Sequence, residues 1–109
     1  MIPFAVLLTK DAARDLNELY DYIAAHDSPR KAEYVLEQAE KAFSTLSEFH
    51  QRGAYPKELL NIGIREYREL FFKPYRIICR IMDQNVYVLL IMDGRRDMQP
   101  LLQRRLLDA

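Results

Sequence analysis

The first half of the chain repeats its apolar residues at the spacing of an α-helix. Over residues 10–26 the repeat follows Thr9, a residue type that caps helix N-termini, and it consists of Ala13, Leu16, Leu19, Tyr20, Ile23 and Ala24. Ser28 and Pro29 restart the repeat, which continues through Ala32, Val35, Leu36, Ala39, Phe43, Leu46 and Phe49. The pattern predicts helices over residues 10–26 and 29–49, joined by so short a link that they form an antiparallel hairpin.

Elsewhere the apolar residues form short runs that are typical of β-strands. One run covers residues 2–8, and three more cover residues 65–72, 75–82 and 86–92. The last three are separated by breaks of hairpin length, Lys73-Pro74 and Asp83-Gln84-Asn85, and so predict a three-stranded antiparallel meander. The segment 51–63 holds two of the three glycines and is predicted to be irregular. Asp97 is placed to cap a last short helix over residues 98–107.

These elements describe an α+β protein. An N-terminal strand and a helical hairpin would pack on a small antiparallel sheet, and a short helix would follow. With 109 residues the chain is expected to form one domain, 1–109, with its own hydrophobic core. The run 2–8 lacks clean alternation, which predicts a strand at a sheet edge or one covered on both faces.

Alternation along the meander assigns each residue to one face of the sheet if both turns are regular. The face under the helical hairpin is predicted to hold Leu70, Phe72, Tyr75, Ile77, Cys79, Ile81, Tyr87, Leu89 and Ile91. The opposite face is predicted to hold Tyr67, Glu69, Phe71, Arg76, Ile78, Arg80, Met82, Val86, Val88, Leu90 and Met92. This second face is therefore expected to be mixed, with apolar residues around two arginines.

Charge is distributed unevenly along the chain, although the net charge is zero. Residues 1–63 contain 7 Lys/Arg and 10 Asp/Glu, whereas residues 64–109 contain 9 and 6, and 8 of those 9 are arginines. Because the planar guanidinium suits phosphate or carboxylate, this bias indicates an anionic partner. The composition, 50% hydrophobic and 29% charged, is globular. No apolar run is long enough for a membrane span, no export signal stands at the N-terminus, and Cys79 has no second cysteine, so we expect a cytoplasmic protein.

The sequence allows two interpretations of the arginines in the meander. In the first, Arg76 and Arg80 lie along a partly exposed sheet face and pair with Glu69, which contributes up to about 1 kcal/mol each. In the second they form part of a concave basic site that binds phosphates with stacked bases, or an acidic, apolar peptide. The other members of that site would be Arg95, Arg96, Tyr67 and Phe71.

Four stretches in order along the chain carry a resemblance. They are Arg52-Gly53 with Pro56-Lys57-Glu58-Leu59, then residues 63–70, then residues 74–78, and last residues 86–89 running into Gly94-Arg95-Arg96-Asp97. Together they resemble the RelE/ParE superfamily of type II toxin–antitoxin toxins, over nearly the whole chain. The resemblance implies a growth-arresting toxin of the plasmid-stabilisation kind, neutralised by a cognate antitoxin. It also implies contact with DNA only through that antitoxin.

The superfamily has two branches, and the sequence is more similar to the ParE-like one, whose members inhibit DNA gyrase by binding it. RelE-like members are ribosome-dependent mRNA endoribonucleases, which use a tyrosine near the C-terminus and a lysine pair. Here no Tyr follows Tyr87, and only Lys57 and Lys73 flank the first meander strand. The resemblance thus implies a gyrase inhibitor without catalysis; the alternative is an mRNA endoribonuclease in which Arg76 and Arg96 stabilise the phosphorane charge. The residues expected to bind a partner are Arg65, Tyr67, Arg76, Arg80, Arg95 and Arg96.

Other candidate chemistry adds little to this picture. His26 and His50 stand near predicted helix C-termini, where a cation is favoured, and no His/Cys/Asp group has metal-ligand spacing. We therefore expect neither a metal nor a cofactor. Leu102 and Leu106 fall on one side of the last helix, where they either cover core or form a detachable apolar patch for a partner.

Overall fold

β1, Ala5–Leu8, is the edge strand of a four-stranded sheet in the computed structural model, which describes residues 3–50 and 53–107. It lies parallel to β4, Asn85–Asp93, with Ala5 opposite Asn85 and Leu8 opposite Val88. Of the two positions that the sequence allowed for this strand, the sheet edge is confirmed. Ile2, the first residue of the predicted run, lies outside the described residues.

The helical hairpin is confirmed, with both predicted N-caps in place. α1, Lys10–His26, follows Thr9, whose side chain accepts a hydrogen bond from the Ala12 N–H at 3.1 Å. α2, Pro29–Glu48, follows Ser28, which accepts from the Lys31 N–H at the same distance. These bonds satisfy N–H groups that the helices themselves leave without partners. α2 ends one residue before the predicted limit.

A short helix interrupts the segment that was predicted to be irregular. α3, Lys57–Leu60, begins after Pro56, whose carbonyl oxygen accepts from the Leu60 N–H at 2.9 Å. Four residues are too few to show a helical period in a sequence, so the pattern could not reveal this element. Gln51 and Arg52, at the start of the segment, lie outside the described residues.

The three-stranded meander is confirmed. β2, Tyr67–Phe72, pairs with β3, Tyr75–Met82, which pairs with β4, and both pairs are antiparallel. The strand order is β1-β4-β3-β2, so the N-terminal strand makes the sheet mixed. β2 begins two residues later than predicted, whereas β4 extends one residue beyond the prediction at each end.

A β-bulge corrects the predicted faces of β4. Ile78 lies opposite Leu90, but the next residue, Cys79, lies opposite Val88, so Leu89 is the extra residue on its strand. From Val88 back to the start of β4, every residue therefore faces the side of the sheet opposite to the one that regular alternation predicts. Val86 and Val88 are buried under the helical hairpin together with Cys79, and the predicted assignments of Val86, Val88, Tyr87 and Leu89 were wrong.

Both faces of the sheet are covered. The first core lies under the helical hairpin and includes Ala12, Leu46, Leu70, Ile77, Cys79, Val86, Val88 and Ile91. The second lies on the opposite face and includes Leu59 of α3, with Tyr67, Ile78, Leu90, Met92, Met98 and Leu102. The centre of the second face is therefore a packed interior, not the partly exposed surface that the sequence predicted.

The C-terminal segment supplies much of this second layer. α4, Met98–Leu102, begins after Asp97, whose carboxylate accepts from the Gln99 N–H at 3.2 Å, as predicted. The chain then widens into a π-helical turn over Gln103–Leu107. Leu102 is buried and Leu106 is half-buried against the second core, so the first interpretation of these leucines, that they cover core, describes the structure.

Candidate partner-binding site

Arg76 lies at the centre of a buried triad of charges. Its terminal nitrogens donate to both oxygens of Glu58, at 2.7 and 2.8 Å, and its Nε donates to Glu69 at 2.7 Å. Arg76 is only 5% exposed, and the Phe71 ring lies near its guanidinium, 5.8 Å from the ring centroid. The triad thus joins α3, β2 and β3 on the second face of the sheet.

The ion pair between Arg76 and Glu58 shifts the pKa values of both groups. The bidentate hydrogen bond to Glu58 raises the pKa of the Arg76 guanidinium, and the same bond holds the pKa of the Glu58 carboxyl below its usual range. Both groups are therefore charged at neutral pH. The pairing of Arg76 with Glu69, expected in the first interpretation of the arginines, is confirmed. Its pairing with Glu58 was not predicted from the sequence.

The turn after β4 rests on the stem of Arg76. The Gly94 N–H donates to the Pro74 carbonyl at 2.7 Å, which ties this turn to the β2–β3 connection. A Cβ at Gly94 would lie 2.9 Å from both Cγ and Cδ of Arg76 and 3.1 Å from the Pro74 oxygen. Glycine is required here because the backbone passes directly over a buried, ion-paired side chain.

Arg95 and Arg96, in the turn after β4, differ in their ion pairing. The carboxylate of Asp93 accepts from the Arg95 backbone N–H and from its Nε, both at 2.9 Å, and also pairs with its terminal nitrogen. Arg95 thereby holds the pKa of Asp93 below its usual range. Arg96 is exposed, and within the described residues its side chain forms no hydrogen bond or ion pair.

Arg80 lies in a separate row across the sheet. Because of the bulge it stands opposite Tyr87 on one side and opposite Tyr67 on the other, with its guanidinium 5.7 Å from the Tyr67 ring centroid. Arg80 and Tyr87 are half-buried, and Tyr67 is buried. Arg65 is exposed in the segment before β2.

The predicted set of partner-binding residues is therefore divided. The expected concave site required an accessible Arg76 beside the other arginines, and this part of the prediction was wrong because Arg76 is buried between two glutamates. Arg65, Arg95 and Arg96 are exposed and Arg80 is half-buried. Their binding to a partner stays a prediction.

A cavity of about 410 Å³ lies between α1 and the ends of β3 and β4. Leu19 and Ile23 of α1 line one side, and Ile91 and Met92 of β4 line the other. Arg95 and Arg96 stand at its border. The cavity was not foreseen, because it depends on how α1 crosses the sheet.

Asp15 and Arg105 form a second internal ion pair, which secures the bulge. Asp15 accepts from the Ile91 N–H at 3.1 Å and pairs with Arg105, which donates to the Leu89 carbonyl at 3.1 Å. Burial raises the pKa of Asp15, against the hydrogen bonds that lower it. The helical spacing could have signalled Asp15, since it stands three residues after Ala12 and four before Leu19 and so shares a face with apolar residues.

The two histidines do not contact the arginines in any described interaction. The His26 ring stacks on that of Tyr22, with ring centroids 4.1 Å apart, and contacts the Tyr22 carbonyl, while the His50 ring stacks on Phe4. Among residues 3–50 and 53–107, no group of three or more His, Cys, Asp or Glu side chains is placed to hold a metal ion. None of the helices in these ranges is long and apolar enough to cross a membrane.

The architecture, with a helical hairpin on one face of the sheet and α3 and α4 on the other, is that of a RelE/ParE-type toxin. The family model of the ParE toxin of type II toxin–antitoxin systems, parDE, matches residues 6–98, and the chain belongs to this family. The resemblance inferred from the sequence is confirmed. No curated protein matches the chain.

Two solved structures are similar to this protein. A chain of the chromosomal ParDE toxin–antitoxin system from P. aeruginosa has a TM-score of 0.70 and 20% identity, covering 85% of this chain and 98% of its own. A chain of the toxin–antitoxin complex RelBE2 from Mycobacterium tuberculosis has a TM-score of 0.56 and 26% identity, covering 84% and 99%. The α+β fold with a short C-terminal helix is thereby confirmed.

Proposed function

We propose that this protein arrests growth by binding DNA gyrase and inhibiting it, without catalysis, and that a cognate antitoxin neutralises it by binding. Membership of the ParE toxin family supports the first part. The similar solved chains come from ParDE and RelBE2 toxin–antitoxin systems, which supports an antitoxin as the second partner. The proposal puts the protein in the cytoplasm, where its target is.

The buried triad of Arg76 is the observation that carries the choice of binding over RNA cleavage. Cleavage without a metal needs a base for the 2′-hydroxyl, an acid for the leaving oxygen and free cations for the phosphorane. Arg76, which the resemblance assigns to the third task, directs its guanidinium at Glu58 and Glu69. A phosphate approaching it would have to displace two carboxylates in a buried site, at a large desolvation cost.

The acid and base have no obvious source either. The sequence has no tyrosine after Tyr87. Asp93 lies next to the two arginines of the turn, and its lowered pKa makes it a poor proton donor at neutral pH. Its oxygens are also occupied by Arg95.

The proposal is tested with purified toxin in two assays run in parallel. We expect inhibition of supercoiling by gyrase, abolished by the antitoxin, and intact mRNA on translating ribosomes. Cleavage of mRNA with normal supercoiling would establish the endoribonuclease instead. In cells, expression of the toxin alone should arrest growth and co-expression with the antitoxin should restore it.

A further inference from the structure

The cavity between α1 and the ends of β3 and β4 has a rigid apolar floor. Its apolar lining consists of Leu19, Ile23, Tyr75, Ile91 and Met92, together with the ring of Tyr22. Four of these are buried: Ile91 belongs to the first core, Met92 to the second, and Ile23 and Tyr75 to a third buried cluster with Ala32 and Val35. Because core packing holds them in place, the cavity is formed before any ligand arrives.

The rim of the cavity presents groups that suit a protein partner. Tyr22 is 62% exposed, and aromatic side chains at the edge of a preformed cavity are common in protein interfaces. Arg96 is exposed beside it and has no ion pair among the described residues. If an apolar side chain of a protein partner entered the cavity, a carboxylate next to it on the partner would therefore come within reach of the Arg96 guanidinium.

Three carboxylates argue against a nucleic acid as the ligand. Asp15, Glu18 and Asp93 all line the cavity. The first and the last are paired with Arg105 and Arg95, but Glu18 is exposed and has no ion pair in the described part of the chain. A phosphodiester chain carries a charge at every repeat and would meet these carboxylates repeatedly, whereas a protein partner needs to place only one carboxylate, at the border next to Arg95 and Arg96.

The volume sets the size of the ligand. About 410 Å³ lies at the lower end of the range of small-ligand pockets, about 300–1,000 Å³. Such a space admits one or two large side chains of a protein partner.

We propose that this cavity is the anchor site for the toxin's target, and that it takes a large apolar side chain of gyrase flanked by an acidic residue that pairs with Arg96. This inference rests on the proposed function, since it takes gyrase as the occupant. A toxin that acts by binding alone gains affinity from a preformed site, because little ordering is left to be done when the target docks. The cavity therefore determines which surface of the target is recognised.

The test uses two variants and a matched control for each. Tyr22→Ala and Arg96→Glu alter the rim, whereas Tyr34→Ala and Arg104→Glu make the same changes at exposed positions outside the cavity. Tyr34 is 60% exposed, nearly the same as Tyr22. We expect each rim variant to weaken inhibition of supercoiling by about 30-fold or more, as for interface hot spots, and each control to inhibit like the original protein.

A second test blocks the cavity without truncating a side chain. The only cysteine, Cys79, is buried, and burial raises the pKa of its thiol to about 11, so it does not react in the folded protein. Tyr22→Cys and Tyr34→Cys can therefore each be labelled at one site with a bulky maleimide. Labelling of Tyr22→Cys should raise the toxin concentration needed to inhibit supercoiling by at least about tenfold, and labelling of Tyr34→Cys should leave that concentration unchanged.

The outcomes separate this inference from the proposed function. If the unaltered toxin inhibits gyrase and the rim variants inhibit equally well at unchanged thermal stability, the cavity is not the anchor site and the proposed function stands. If the rim variants lose only antitoxin binding, the occupant is the antitoxin and the inference is overturned. If the unaltered toxin leaves gyrase active, the proposed function fails, and gyrase is excluded as the occupant in the same experiment.

Discussion

Arg76 of β3 and Glu58 of α3 face each other in a bidentate ion pair, with N–O distances of 2.7 and 2.8 Å. The two residues are 18 positions apart and belong to elements on either side of β2 in the chain. Their pairing fastens α3 onto the second face of the sheet, beside the core residue Leu59. The arginine that would serve as a charge stabiliser in the alternative endoribonuclease thus joins two elements of the fold.

We expect Arg76→Ala to lower the free energy of unfolding by about 3–5 kcal/mol, because it leaves the buried Glu69 and the half-buried Glu58 without a counter-charge. Urea denaturation measures the change. Arg96→Ala is the matched control, since an exposed arginine with no ion pair in residues 3–50 and 53–107 should change stability by no more than about 0.5 kcal/mol. Equal losses in the two variants would contradict a structural role for the triad.

The pairing of Glu58 also predicts a dependence of stability on pH. Its pKa is lowered in the folded protein from the ordinary value of 4.5, so the stabilisation is complete above that pH and is lost as the pH falls through the folded-state pKa. The difference in free energy of unfolding between the original protein and Glu58→Gln should therefore shrink below pH 4.5. A difference that stays constant on acidification would be inconsistent with this assignment.

Asp15→Ala should loosen the strand at the bulge. The substitution leaves the Ile91 N–H without its acceptor and Arg105 without its carboxylate, a loss of about 1–3 kcal/mol. Hydrogen exchange at the Ile91 amide should accelerate about tenfold for every 1.4 kcal/mol lost. Glu18→Ala, an exposed change on the same helix, is the control, and it should leave this amide protected.

Two glycines at positive φ should differ in their tolerance of alanine. Gly63, with φ of +80°, has no atom within 4 Å of an added Cβ, so Gly63→Ala should cost only the backbone strain of about 1–2 kcal/mol. Gly53, with φ of +101°, would place its Cβ 2.3 Å from the Glu69 carbonyl oxygen. Gly53→Ala must break the bridge between Ala54 and Glu69, so it should lower the free energy of unfolding, measured with urea, by clearly more than Gly63→Ala does. Similar losses of stability in the two variants would contradict this local geometry.

Much of the fold follows from local signals that a sequence displays. The limits of α1 are those predicted, because Thr9 marks the start and the apolar repeat ends near His26. The same holds for β3, whose limits are set by Pro74 and by the polar turn after Met82. α3 escaped prediction because its four residues show no period, and its place depends on the distant partner Arg76.

The candidate site was harder to predict, since it depends on which side of a strand each residue faces. One extra residue, Leu89, moved Val88 under the helical hairpin and brought Tyr87 beside Arg80. Nothing in an apolar run of this kind marks where a bulge falls, because any of its residues is acceptable on a buried strand. The side chains that secure the bulge, Asp15 and Arg105, come from opposite ends of the chain.

By itself the sequence determined the helical hairpin, the meander, the caps and the family, because each rests on spacing and residue type within a short stretch. Only the tertiary structure decided that Arg76 is buried between Glu58 and Glu69, that Arg95 is paired with Asp93, and that Arg96 borders a cavity without an ion pair to any described residue. Burial and charge pairing are properties of contacts between distant segments. An arginine's availability to a partner is therefore settled by what the rest of the fold places against its guanidinium.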